Sequence, residues 1–88
     1  MSKVVFTEKG WEHYQYWLAQ NRKIMQKIAR LIKSIERDGA LNGEGQPEQL
    51  RYAENAYSRH IDDKNRLVYR VEQDQIVIEA CLGHYEDK

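Results

Sequence analysis

The chain reads as an α+β domain in which an N-terminal strand and a two-helix hairpin pack on a mainly antiparallel β-sheet. Three observations carry that reading. A β-prone apolar run opens the sequence, two helix-periodic stretches with capping residues follow it, and the C-terminal half alternates apolar and polar residues between short turn-forming segments.

Val4-Val5-Phe6 is the expected first strand. Thr7 is placed to cap a helix from Glu8 to Gln20, on which Trp11, Tyr14, Trp17 and Leu18 share one side and read as core. Asn21 is the expected cap of a second helix reaching Arg37. Its apolar positions Ile24, Ile28, Leu31, Ile32 and Ile35 make one buried face. Arg22, Lys23, Lys27, Arg30, Lys33 and Arg37 project from the other side, and with Glu36 they leave a net charge of +5. A solvated face is the plain reading of this stripe, and an RNA-facing surface the sharper one.

Residues 38–49 contain three of the five glycines and the only proline, and read as a loop within one domain spanning residues 1–88. Leu50-Arg51-Tyr52 is expected as a short strand. Strands are then expected over Tyr57–Ile61, Arg66–Glu72 and Gln75–Leu82, with turns at residues 62–65 and 73–74. Alternation puts Leu67, Tyr69 and Val71 on one face of the sheet and Arg66, Val68 and Arg70 on the other. With the helices over the leucine face, Arg66 lies on an open platform. Ser58 and His60 oppose Tyr57, Arg59 and Ile61, and the register decides which set faces the cleft.

Composition narrows the function classes. At 41% hydrophobic and 32% charged, the chain is an ordinary globular one. No apolar run approaches the roughly 20 residues that span a bilayer, and the N-terminal run is too short for a signal peptide, so no membrane partner and a cytoplasmic location are expected. The single cysteine, Cys81, excludes an internal disulfide and a multi-cysteine zinc site, and its apolar surroundings mark it as inert. There is no glycine-rich phosphate loop, metal-ligand spacing or nucleophile elbow, and no cofactor or metal is expected. The formal net charge is zero, but residues 67–88 carry two basic against five acidic side chains, so a basic face is hidden in the average.

The remaining polar residues suit RNA cleavage without a metal. That chemistry needs a base for the 2′-hydroxyl, cations for the charge building on the phosphate, and an acid for the departing 5′-oxygen. Glu48 is a candidate base, since an ordinary glutamate is ionised at neutral pH. His84 is a candidate acid, because histidine holds a proton near working pH. Arg66 and Arg51 are candidate phosphate ligands, their guanidinium forks matching the oxygens. Tyr85 is placed to orient the phosphate or stack on a base.

A series of short motifs runs through Phe6-Thr7-Glu8, Trp11, Tyr14, Tyr16-Trp17, Lys27-Ile28, Leu31-Ile32-Lys33, Gly43, Gly45, Pro47-Glu48 and Leu50. It continues through Tyr57-Ser58-Arg59, Ile61, Asn65-Arg66-Leu67-Val68-Tyr69 and His84-Tyr85. In this order and spacing the sequence resembles the YoeB-type toxins of the RelE/ParE superfamily over almost its whole length.

The resemblance implies a RelE-like fold and the toxin half of a type II toxin–antitoxin pair. Such a toxin is a ribosome-dependent mRNA endoribonuclease that enters the A site and inhibits translation. In that frame Glu48 matches the general base, Arg66 the phosphate-stabilising arginine, and His84 and Tyr85 the C-terminal catalytic pair. Arg51 falls where a lysine is common, and Arg59 and His60 are candidate phosphate contacts. His60 stands where an arginine is common, and Glu86-Asp87-Lys88 extends past the tyrosine.

The implied partners are a YefM-like antitoxin of the Phd/YefM family, the ribosome with its mRNA, and a second copy of the chain in a homodimer. Operator DNA would be bound only indirectly, through the antitoxin. Two alternatives stay open. One is a ParE-like toxin that inhibits a topoisomerase without cutting RNA, and the other a catalytically weak, antitoxin-binding corepressor.

Overall fold

A computed structural model describes residues 2–83 of the chain. Strand β1 (Lys3–Phe6) leads into helix α1 (Glu8–Gln20) and helix α2 (Arg22–Asp38). Strands β2 (Glu48–Gln49), β3 (Ala56–His60), β4 (Arg66–Glu72) and β5 (Gln75–Ala80) follow. The five strands form one sheet in the order β1-β5-β4-β3-β2, in which β1 runs parallel to β5 and every other pairing is antiparallel. This is the expected α+β architecture.

Both helix starts follow from their capping residues. The Thr7 hydroxyl accepts the Gly10 N–H over 3.0 Å, and Thr7 also bonds Ile78 by its backbone N–H, tying the start of α1 to β5. Asn21 serves both helices. Its backbone N–H closes α1 on the Trp17 carbonyl, and its side chain accepts from the Lys23 and Ile24 amides at the start of α2. Helix α2 stops one residue later than expected, where Gly39 takes a φ of +97° open to glycine and strained for other residues.

The core lies between the hairpin and one face of the sheet. Ile28, Leu31, Ile32 and Ile35 of α2 meet Leu67, Tyr69, Ile76 and Ile78 there, as the periodicities required. A smaller cluster of Leu50, Ala56 and Val68 sits on the opposite face. Tyr57, Arg59 and Ile61 therefore point towards the helices, while Ser58, His60, Arg66 and Val68 point to the open side.

Three expectations change. The strand expected at Leu50-Arg51-Tyr52 forms two residues earlier, at Glu48–Gln49. Leu50 is buried, and its N–H already bonds the Ala56 carbonyl, so the chain must turn at Arg51 and Tyr52 to enter β3. The aromatic stripe on α1 is only partly core. Trp17 is buried, but Trp11 and Leu18 remain 48% and 43% exposed, because α1 approaches the sheet through Gly10, whose missing Cβ lets the helix lie against the Ile78 carbonyl. Strand β5 ends at Ala80; Cys81 is buried and Leu82 exposed.

Candidate active site

Glu48 and Arg66 come together on the open face. Glu48 is the cross-strand neighbour of Ser58, and Arg66 that of His60, so β3 lies between them. The Arg66 guanidinium nevertheless reaches across β3 and donates to the Glu48 carboxylate over 3.3 Å. The Arg66 side chain is 19% exposed and that of Glu48 51%, so the cation is seated on the sheet while the carboxylate looks outward. His60 is half-buried beside them, and Arg51 is exposed in the turn beyond β2. A shallow hollow of about 260 Å³, lined by Gln49, Leu50, Arg51, Ala53 and Glu54, adjoins this edge.

Arg59 has a different place. It is 0% exposed and points away from the open face, into the junction of α2 with the loop over residues 39–47. Its Nε donates to the Tyr69 phenol, Nη1 to the Ser34 hydroxyl and the Glu44 carbonyl, and Nη2 to the Gly39 and Asn42 carbonyls, at 2.7–3.0 Å. All five guanidinium donors are satisfied within the fold, which is what a fully buried cation requires. The expected phosphate contact at Arg59 is thus corrected. The residue holds the loop that delivers Glu48, because alternation turns it to the helix side.

The surroundings of Arg59 are built for that charge. The Ser34 hydroxyl accepts from Arg59 and from the Glu44 amide, and donates to Asp38. The Arg37 guanidinium, then the Ser34 hydroxyl, hold the Asp38 carboxyl below the usual carboxylate range. Burial pushes the Tyr69 phenol above its ordinary value, with Arg59 pulling the other way. Gly43 and Gly45 have φ of +99° and +94°, and a Cβ at Gly43 would sit 2.3 Å from the Ser34 oxygen. The glycines of this loop are there to let it close on the guanidinium.

The basic stripe of α2 is partly neutralised. Glu44 receives the Arg30 guanidinium at 2.8 Å and the Lys27 ammonium at 3.6 Å, and Arg37 pairs with Asp38 at 2.9 Å. Hydrogen bonding from Arg30 is the main cause that holds the Glu44 carboxyl low. Arg22, Lys23 and Lys33 are exposed on the same helix. The surface is therefore less positive than the six basic residues of the helix alone suggest.

His84 and Tyr85 lie outside the described residues, as does the Glu86-Asp87-Lys88 extension. The chain just ahead of them is well anchored. The Cys81 amide donates to His13 Nδ1 over 3.0 Å, and its carbonyl accepts from Trp17 Nε1 over 2.7 Å, so two α1 side chains grip one residue from both sides. The Gly83 amide donates to the Asn65 side chain, and its carbonyl accepts the Arg66 N–H over 3.0 Å. Residue 83 is thus bonded to the backbone of Arg66 itself. Burial pushes the Cys81 thiol up to about 12, in keeping with an inert side chain.

Sequence reasoning missed the roles of Arg59 and Glu44. Each depends on which strand face meets the helices or on a loop folding back over α2, and neither is written in local periodicity. Among the described residues, no three His, Cys, Asp or Glu side chains group to hold a metal ion, and no helix is long and apolar enough to cross a membrane.

Comparison with known proteins agrees with this fold. Residues 6–85 match the family model of the YoeB-like toxins of bacterial type II toxin–antitoxin systems. The chain is 44% identical over 84 residues to the toxin YoeB of Streptomyces coelicolor, an alignment covering 94% of this chain and 99% of that one. The YoeB dimer from Staphylococcus aureus superposes with a TM-score of 0.91 at 40% identity, covering 96% and 98% of the two chains. The YoeB–YefM complex from the same organism gives 0.88 at 41% identity, with 97% and 99% covered.

Proposed function

This chain belongs to the YoeB-like toxins of bacterial type II toxin–antitoxin systems, and from that premise we propose that it is a ribosome-dependent endoribonuclease cutting mRNA in the A site without a metal. The observation that carries the reading is the pairing of Arg66 with Glu48 across β3, on the one sheet face the helices leave open. A base and a phosphate-binding cation are thereby held a single hydrogen bond apart. An RNA phosphate entering this face competes for the guanidinium and releases the carboxylate beside it.

In the reaction, Glu48 takes the proton of the 2′-hydroxyl, and that oxygen attacks the adjacent phosphorus. Arg66 stabilises the charge on the non-bridging oxygens. The 5′-oxygen leaves with a proton from His84, giving a 2′,3′-cyclic phosphate and a free 5′-hydroxyl. Tyr85 orients the phosphate or stacks on a base, and Arg51 and His60 add positive charge around the site. The hydrogen bonds of Gly83 to Asn65 and Arg66 hold the last described residue of the chain beside the phosphate cation.

The partners follow the same likeness. A YefM-like antitoxin holds the toxin inactive and supplies the contact with operator DNA, and the active toxin is a homodimer in the bacterial cytoplasm. Ribosome docking uses the exposed basic residues of α2, chiefly Arg22, Lys23 and Lys33, with Lys27, Arg30 and Arg37 contributing what their acidic partners leave.

Primer extension on mRNA in a translating extract tests the reading. Wild type is run beside folded Glu48→Ala and His84→Ala variants. Cuts that require ribosomes and weaken in both variants are expected. Intact message with the wild-type protein would move the function to a toxin that does not cut RNA, or to a corepressor.

A further inference from the structure

Arg66 is the first residue of β4, and strand ends are where a sheet opens most readily. On the β3 side it pairs with His60. On the β5 side the ladder runs from Glu72 with Gln75 to Val68 with Ala80, shifting register between Val68 and Tyr69, so Arg66 lies beyond its last pair. Its backbone N–H bonds the Gly83 carbonyl over 3.0 Å instead. Gly83 takes a φ of +81°, with open space where a Cβ would stand, so glycine serves the backbone turn there and not a close approach.

A side chain holds Gly83 in that place. The Gly83 N–H donates to Asn65 Oδ1 over 2.7 Å, and Asn65 Nδ2 donates to the two Asp62 carboxylate oxygens over 3.1 and 3.3 Å. A donor on one side and a carboxylate on the other allow this carboxamide a single orientation. Asp62 is fixed in turn, accepting the backbone N–H groups of Lys64 and Asn65 over 2.8 Å each. The Asn65 carbonyl accepts the Ile61 N–H over 3.0 Å. Asn65 is thus bound into the β3–β4 turn by its backbone and its carboxamide nitrogen, while the carboxamide oxygen grips a residue 18 positions away.

We propose that Asn65 is a positioning residue for the phosphate cation: it clamps Gly83 against Arg66 and so fixes the backbone from which the guanidinium reaches across β3. The consequence for catalysis rests on the ribonuclease reading. In that reading Arg66 meets charge that builds on the phosphate in the transition state, where small errors of placement are expensive. A swing at the first residue of β4 is magnified along so long a side chain. An aspartate at position 65 would set a second carboxylate against Asp62, and an alanine would make neither bond.

Amide hydrogen exchange tests the clamp without catalysis. Asn65→Ala is expected to speed exchange at Gly83 and Arg66 about tenfold more than at Leu31, whose buried position within α2 reports opening of the core. An Arg66 rate that changes no more than that of Leu31 would show that Asn65 supports only general stability, and overturns the proposal. Ribosome-dependent cleavage reads the consequence. Asn65→Ala is expected to lose about three- to tenfold in kcat with KM little changed. Gly83→Ala, strained at a φ of +81°, breaks the same link from its other end, and the double variant should lose no more than the worse single. Unchanged kcat in Asn65→Ala, or losses that multiply in the double variant, overturn the positioning role. A wild-type protein that cuts nothing overturns the ribonuclease reading, and exchange still reports whether Asn65 holds Arg66.

Discussion

Arg59 Nε donates to the Tyr69 phenol over 2.9 Å, and that phenol donates in turn to the Ala40 carbonyl over 2.6 Å. Neighbouring strands thereby share one hydrogen-bonded unit, which fastens the loop after α2. The guanidinium carbon also lies 5.6 Å from the Tyr69 ring centroid, so the same pair adds a cation–π contact.

Breaking that unit is costly. Arg59→Leu leaves Ser34 and the carbonyls of Gly39, Asn42 and Glu44 without their donor in a buried site. A loss of about 3–5 kcal/mol is expected, as for other broken buried charge networks. Chemical denaturation measures it. Limited proteolysis should cut first within residues 39–47. A denaturation midpoint within error of wild type would mean that the loop does not depend on Arg59.

Gly10→Ala should destabilise even though it improves helix propensity by roughly 1 kcal/mol. The added Cβ would stand 2.3 Å from the Ile78 carbonyl oxygen, a backbone atom of the central sheet with no room to retreat. Helix α1 must lift from β5, costing about 1–3 kcal/mol. A thermal midpoint that rises would show that α1 rides freely on the sheet.

His13 gives stability a specific pH dependence. Burial, then the charge of Lys9, holds its imidazole below the ordinary histidine value, with Glu12 pulling the other way. Only an unprotonated Nδ1 can accept the Cys81 N–H. The unfolded chain therefore binds this proton more readily than the fold. The contribution is fully present above about 6.5 and is lost as pH falls from there through the folded value. His13→Asn keeps an acceptor and removes the titration, so its thermal midpoint should fall less than that of wild type between about pH 6.5 and 5. Parallel curves in scanning fluorimetry would exclude this linkage.

Under the proposed docking on the ribosome, Glu44→Gln should strengthen binding to ribosomes. The substitution releases Lys27 and Arg30 from their shared carboxylate and makes the α2 surface more positive. The gain is expected to be a few-fold at low salt and to fade as ionic strength shortens the reach of exposed charges to below about 10 Å. The backbone contacts of residue 44 with Ser34 and Arg59 stay in place, so the thermal midpoint should change little. Binding that is weaker at every salt concentration would show that Glu44 itself is recognised.

The fold was legible in the sequence where a period of side chains and a capping residue agreed. Thr7 and Asn21 marked the helix starts, the isoleucines of α2 marked its buried face, and alternation in residues 66–71 placed Arg66 opposite Leu67 and Tyr69. Those signals are local, set by 3.6- and 2-residue repeats that any neighbouring structure must respect. Side-chain chemistry made Glu48 a candidate base and Arg66 a candidate phosphate ligand, and the resemblance matched both to those roles. That the two would meet across an intervening strand was not local information.

Tertiary structure decided the rest. Whether Arg59 or His60 faced the open side depended on which face of β3 the helices covered, and the answer turned an expected phosphate ligand into the buried pin of a loop. The basic stripe lost part of its charge because the loop after α2 folds back and lays Glu44 on Lys27 and Arg30. Trp11 stayed exposed because α1 meets the sheet through a glycine. Each of these turns on residues distant in sequence sharing one small volume. The sequence by itself determined which elements form and which faces they bury; strand pairing and loop closure decided which polar groups remained to do chemistry. The physical reason is that burial of a charge or hydroxyl is a property of everything packed around it, not of its own place in a repeat.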